Sequence, residues 1–157
     1  MISAQSLTAF SRWPPTSNIV DIASRKAIAQ TPEELWLPVT KRLEDLIRLE
    51  RGWDGYAGSP VSFVNATFAL SMLKSICDSQ TPAPQIVPGS SGDLQVEWHT
   101  LRGDVELHVR APNDVHAWRV KSDGLEEELL LANDFSAIVA WLKELVEPSI
   151  AIKAAAA

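Results

Sequence analysis

Asp93-Leu94-Gln95-Val96-Glu97-Trp98-His99 and Asp104-Val105-Glu106-Leu107-His108-Val109-Arg110 alternate polar and apolar residues almost without a break. A period of two puts successive side chains on opposite faces, so each run reads as a half-buried β-strand. Val115 to Lys121 and Glu126 to Leu131 continue the rhythm. The intervening Thr100-Leu101-Arg102-Gly103, Ala111-Pro112-Asn113-Asp114 and Ser122-Asp123-Gly124 are tight-turn chemistry. A four-stranded antiparallel meander is the economical solution. Folding the turns at their centres sets Leu94, Val96 and Trp98 beside Val109, Leu107 and Val105. His116, Trp118 and Val120 come next, and Glu127, Leu129 and Leu131 last. One face is then nearly all apolar and needs helices over it.

Upstream, the period lengthens to that of a helix. Thr31-Pro32-Glu33-Glu34 has the N-cap, first-position proline and reciprocal glutamate of a capping box. Trp36, Val39, Leu43, Leu46 and Ile47 form an apolar stripe on a helix ending at Gly52, with a kink or restart at Pro38. A second helix runs from Ser59 as N-cap and Pro60 as first position to about Cys77, with Val61, Val64, Phe68, Met72 and Ile76 inward. Between the two lies Gly52-Trp53-Asp54-Gly55-Tyr56-Ala57-Gly58, a corner in which Asp54 makes the turn and Trp53 and Tyr56 supply apolar mass. Residues 78 to 91, with Pro82, Pro84 and Pro88, read as an extended connector. A last helix, capped by Asn133 or Asp134 and stopped at Pro148, carries Phe135, Ile138, Val139, Trp141, Leu142 and Val146. The expected fold is α+β: two N-terminal helices, the meander, and a C-terminal helix packed on the sheet. Residues 31–148 form its single domain, between a flexible arm over 1–30 and a frayed tail over 149–157.

The corner, followed by Pro82-Ala83-Pro84-Gln85-Ile86-Val87-Pro88 and Gly92-Asp93-Leu94-Gln95-Val96-Glu97-Trp98, resembles a family of small uncharacterised bacterial proteins. Their pattern is a G-W-D-G-Y-G-A-x-P corner, a P-x-I-x-P segment and a G-x-L-x-x-E-W strand, here spread over residues 43 to 98. Ala57-Gly58 stands where that pattern has Gly-Ala. The resemblance implies an architecture and a bacterial origin, with Gly52, Trp53, Asp54, Gly55, Tyr56 and Pro60 as its structural motif, and it implies no catalytic residue.

A net charge of -6 repels phosphate backbones and attracts a basic partner. No run is long and apolar enough to span a bilayer, and no secretion signal opens the chain, so the expected compartment is the cytoplasm. The lone Cys77 reads as a buried structural thiol. Metal-ligand spacings, nucleophile elbows and phosphate-cradling loops are missing from the sequence, so neither a cofactor nor a metal is expected.

Two polar constellations remain. The meander pairing lines up Gln95, Glu97 and His99 against His108, Glu106 and Asp104, placing Glu97 opposite Glu106. Like charges opposed across strands are mildly destabilising, which invites a paired-carboxylate or metal-dependent hydrolytic site with His99 and His108. Arg119 beside Glu106 and Lys121 beside Asp104 would instead neutralise the acids, and a charge-laddered solvated face is the preferred reading. Among six tryptophans, Trp13 and Trp36 answer to no packing pattern and are candidate anchors for a partner, together with Glu97, Glu106 and Arg119. The expected function is a non-enzymatic, acidic interaction module, such as the neutralising member of a toxin or defence system. Its partner is a basic or toxin-like protein, and the open sheet edge offers pairing with a second copy. The alternative is a small metal-dependent hydrolase using the charged sheet face.

Overall fold

In the computed structural model, which describes residues 32–146, the alternating runs form one antiparallel sheet whose strands follow chain order. The strands are β1 (Gln85–Pro88), β2 (Leu94–Thr100), β3 (Gly103–Ala111), β4 (Asp114–Lys121) and β5 (Glu126–Leu131). The helices are α1 (Pro32–Ile47), α2 (Phe63–Ile76) and α3 (Ser136–Leu145). The α+β class is therefore as expected, with a five-stranded sheet in place of four. The added strand comes from the connector: Ile86 pairs with Val96 and buries its side chain. Four residues flanked by prolines leave too short an alternation for a periodic signal. The 1–30 arm with Trp13, the Thr31 cap, the Pro148 stop and the tail lie outside the described residues.

The β2–β3 register is as expected, with Leu94, Val96 and Trp98 opposite Val109, Leu107 and Val105. The β3–β4 register is not. A shift between Val109 and Ala111 leaves Arg110 unpaired, so Val109 faces Val115, Leu107 faces Ala117 and Val105 faces Arg119. Slipping a strand by one residue turns every side chain to the other face. Val115, Ala117 and Arg119 therefore lie on the helix-covered side, and His116, Trp118 and Val120 on the other.

Val39, Leu43 and Leu46 of α1 are buried, as their spacing predicted, and α1 runs unbroken through Pro38. It ends at Ile47 rather than at Gly52. Gly52, at φ 83°, instead completes a turn in which the Trp53 N–H donates to the Glu50 carbonyl (3.1 Å). The α2 helix begins later than expected, because Ser62 rather than Ser59 accepts the Asn65 N–H (3.1 Å) as its cap. Ser59, Pro60 and Val61 lie outside the helix, and Ser59 bridges in parallel to Ser91. The buried side of α2 is Ala66, Ala69, Met72, Leu73 and Ile76 with Asn65, while Val64 is 59% exposed. Small alanines let this helix approach the sheet closely, which a search for large apolar residues overlooks. In α3, Ile138, Trp141, Leu142 and Leu145 are buried, and Asp134 accepts the Ser136 N–H (2.9 Å) ahead of the first turn. All three helices bury their apolar sides in one core with the inner sheet face.

Asn65 joins these parts. Its side-chain amide donates to the Gly92 carbonyl (2.8 Å) and to the carbonyl of Arg110, the residue left unpaired by the bulge (3.3 Å). Buried carbonyls demand donors, and one asparagine on the helix serves both the bulge in β3 and the Gly92 loop, whose carbonyl also accepts the Ser62 N–H.

Candidate functional site: the open sheet face

Among the described residues, no element covers the second face of the sheet. Its rows follow from the register. Glu97 of β2, Glu106 of β3, Trp118 of β4 and Glu128 of β5 lie side by side in the central row. One row to one side holds Gln95, His108, His116 and Leu130, and the row on the other side holds His99, Asp104, Val120 and Glu126. All three histidines of the chain are on this face.

Each histidine is tied to a carboxylate. His99 sits between Glu97 and Asp104, at 3.2 Å from each. The Glu97 bond is the largest cause of a His99 pKa raised above its ordinary value; burial opposes it, and Asp104 adds to the rise. His108 bonds Asp93 at 2.5 Å, and His116 pairs with Glu128. Partial burial pushes the Asp93 carboxyl up, but the bonds from His108 and the Ser91 N–H outweigh it and hold it below its usual range. The Glu106 side chain makes no hydrogen bond or ion pair among the described residues. The expected opposition of Glu97 and Glu106 is present. The expected neutralisation by Arg119 and Lys121 is not: Trp118 stands beside Glu106 and Val120 beside Asp104.

Arg119 is on the covered face, 7% exposed. Its guanidinium lies 4.7 Å from the Trp141 ring centroid and bonds Glu127 (2.6 Å) and Glu144 (2.9 Å). The bond from Arg119 chiefly accounts for a lowered Glu127 pKa. This arginine is a structural cage and is withdrawn from the partner-facing residues. Trp118, expected on the core side, takes its place on the open face, half-buried. Periodicity alone cannot detect a one-residue bulge, so this exchange was invisible in the sequence.

The other candidate residues lie elsewhere. Trp36 packs partly against the core and lines a cleft of about 150 Å³ with Val39, Pro82, Pro84 and Ile86. Cys77 lines it too, and burial pushes its thiol up to about 12, which keeps it protonated and unreactive. In the corner, the Asp54 carboxylate accepts the Tyr56 N–H (2.9 Å) and the Gly58 N–H (3.0 Å), bonds that lower its pKa. A Cβ at Gly58 would sit 2.7 Å from the Asp54 carboxyl carbon, so a side chain there would displace the carboxylate from these bonds. Trp53 donates its indole N–H to the Ser59 carbonyl (2.9 Å), whereas Tyr56 points outward, 90% exposed, and does not pin the corner.

Among the described residues, no three His, Cys, Asp or Glu side chains converge as a metal site would require, and no helix is long and apolar enough to cross a membrane. No family model matches the chain, and neither a curated protein nor a solved structure matches it.

Proposed function

We propose that this chain is a non-enzymatic interaction module that engages a basic protein partner through its open sheet face. The observation that carries this reading is the central row: a half-buried tryptophan set among Glu97, Glu106 and Glu128 on a face that no described element covers. Aromatic groups ringed by charge are typical anchors of protein interfaces, and a field of one sign speeds encounter with its opposite. The net charge of -6 acts in the same direction. Small size, acidity and the lack of a catalytic motif suit the neutralising member of a toxin or defence pair in a bacterial cytoplasm, the origin implied by the corner motif. The metal-dependent hydrolase alternative has no observation of its own, since Glu106 and the histidines it would use are not gathered into a ligand set.

The test is affinity purification of tagged protein from its host, comparing wild type with the double variant Glu97→Lys/Glu106→Lys. A stoichiometric basic protein should accompany the wild type and be lost from the variant, with the thermal melts of the two alike. A lone monomer, or a partner retained by the variant, would sink the reading.

A further inference from the structure

The two faces of the sheet carry the same grouping in two states. On the covered face a tryptophan and two glutamates enclose a guanidinium, that of Arg119 with Trp141, Glu127 and Glu144. On the open face Trp118 lies between Glu106 and Glu128 in adjacent strands, with no arginine or lysine in the row. Beside them is a shallow depression of about 300 Å³ lined by Gln95, Glu106, His108, His116 and Trp118. We infer that this depression is a recognition site for an arginine side chain of the partner. The inference rests on the interaction reading above and names the chemistry its partner must present.

Three features select arginine. The half-buried Trp118 indole, which lines the depression, attracts a cation, and a planar guanidinium stacks on an indole as an ammonium cannot. Glu106 has no partner of its own among the described residues, and its repulsion from Glu97 directly opposite is relieved by an incoming positive charge. The donors of a guanidinium are arranged as a fork, so one that stacks on the ring can bond Glu106 in the lining and extend toward Glu128, which His116 now holds, whereas lysine is a point charge. Gln95 in the lining adds a neutral acceptor.

The experiment is a titration of the full-length, ¹⁵N-labelled protein at constant ionic strength with acetyl-Gly-Arg-Gly-amide, its lysine counterpart and its citrulline counterpart. The Trp118 indole N–H signal, assigned by its loss in Trp118→Phe, is the readout. The arginine peptide should shift that signal saturably and bind more tightly than the lysine peptide. The citrulline peptide, with nearly the same shape and no charge, should leave it unmoved. Glu106→Gln should weaken arginine binding about tenfold, the loss expected for one charge-assisted contact, with the remaining spectrum unchanged. Equal binding of arginine and citrulline peptides, shifts confined to other faces, unchanged affinity in Glu106→Gln, or no response to any peptide would each overturn the assignment. A partner that is lost from Glu97→Lys/Glu106→Lys while arginine peptides fail would leave the interaction reading standing and remove this one. A partner retained by that variant would remove the interaction reading itself.

Discussion

Asn65 is the buried polar residue on which the helix, the bulge and the Gly92 loop converge. Replacing it with alanine takes the side-chain donor from the Arg110 carbonyl and leaves the Gly92 carbonyl only the Ser62 N–H (2.9 Å), and should cost about 1–3 kcal/mol, read by denaturant unfolding. Asn65→Asp should be worse, because a carboxylate would face the same carbonyls as a third acceptor. An alanine variant as stable as wild type would mean that water replaces the amide. His99 offers a second residue-scale check. Its pKa, followed by NMR, should lie above about 6.5, and Glu97→Gln should bring it down, because the Glu97 bond is the largest cause of its rise. A value unmoved by that change would remove Glu97 as the cause. Neither residue stood out in the chain for these roles. An asparagine early in a helix reads as capping chemistry, and a histidine on an alternating strand reads only as outward.

The α2 helix separates what periodicity can find from what packing selects. Its spacing supports an apolar stripe through Val64, Phe68, Met72 and Ile76, widened by Leu73; Met72, Leu73 and Ile76 are buried, but at the start of the helix Ala66 and Ala69 go inward in place of Val64. Ala69→Leu should cost about 1–3 kcal/mol by overpacking, whereas Val64→Ser should stay within about 0.5 kcal/mol. The reverse order in thermal melts would restore the stripe read from the sequence. The edges of the sheet follow element-scale logic as well. Arg42 of α1 donates to the Ile86 carbonyl (2.9 Å) and covers the outer side of β1. At the opposite end, β5 carries Glu126, Glu127 and Glu128 in succession, which discourages pairing with a further strand. Pairing with a second copy through that edge is therefore not favoured by its charge.

At the scale of the molecule, charge links stability to pH with two opposite signs. The carboxyls of Asp54, Asp78, Asp93, Glu127 and Asp134 are lowered in the folded chain. Their contribution is present above the unfolded values, about 3.9 to 4.3, and is lost as pH falls through the folded ones. His99 is raised, so its contribution is complete below about 6.5 and fades as pH rises through its folded value. Thermal melts from pH 3 to 8 should therefore fall off below about pH 4, with a much smaller decline on the alkaline side because His99 is solvent-screened. A flat profile below pH 4 would show that these bonds form equally in the unfolded chain. Periodicity and turn chemistry by themselves determined the α+β class, the pairing of β2 with β3 and the opposition of Glu97 to Glu106, because a period of two leaves each strand residue one choice of face and the turn fixes the register. Only the tertiary structure decided the outcome beyond Val109. The Arg110 bulge, whose carbonyl Asn65 caps from another element, turned β4 over. That single residue buried Arg119 and brought Trp118 out among the glutamates, and no local pattern encodes it, since its stabilising partner lies 45 residues away.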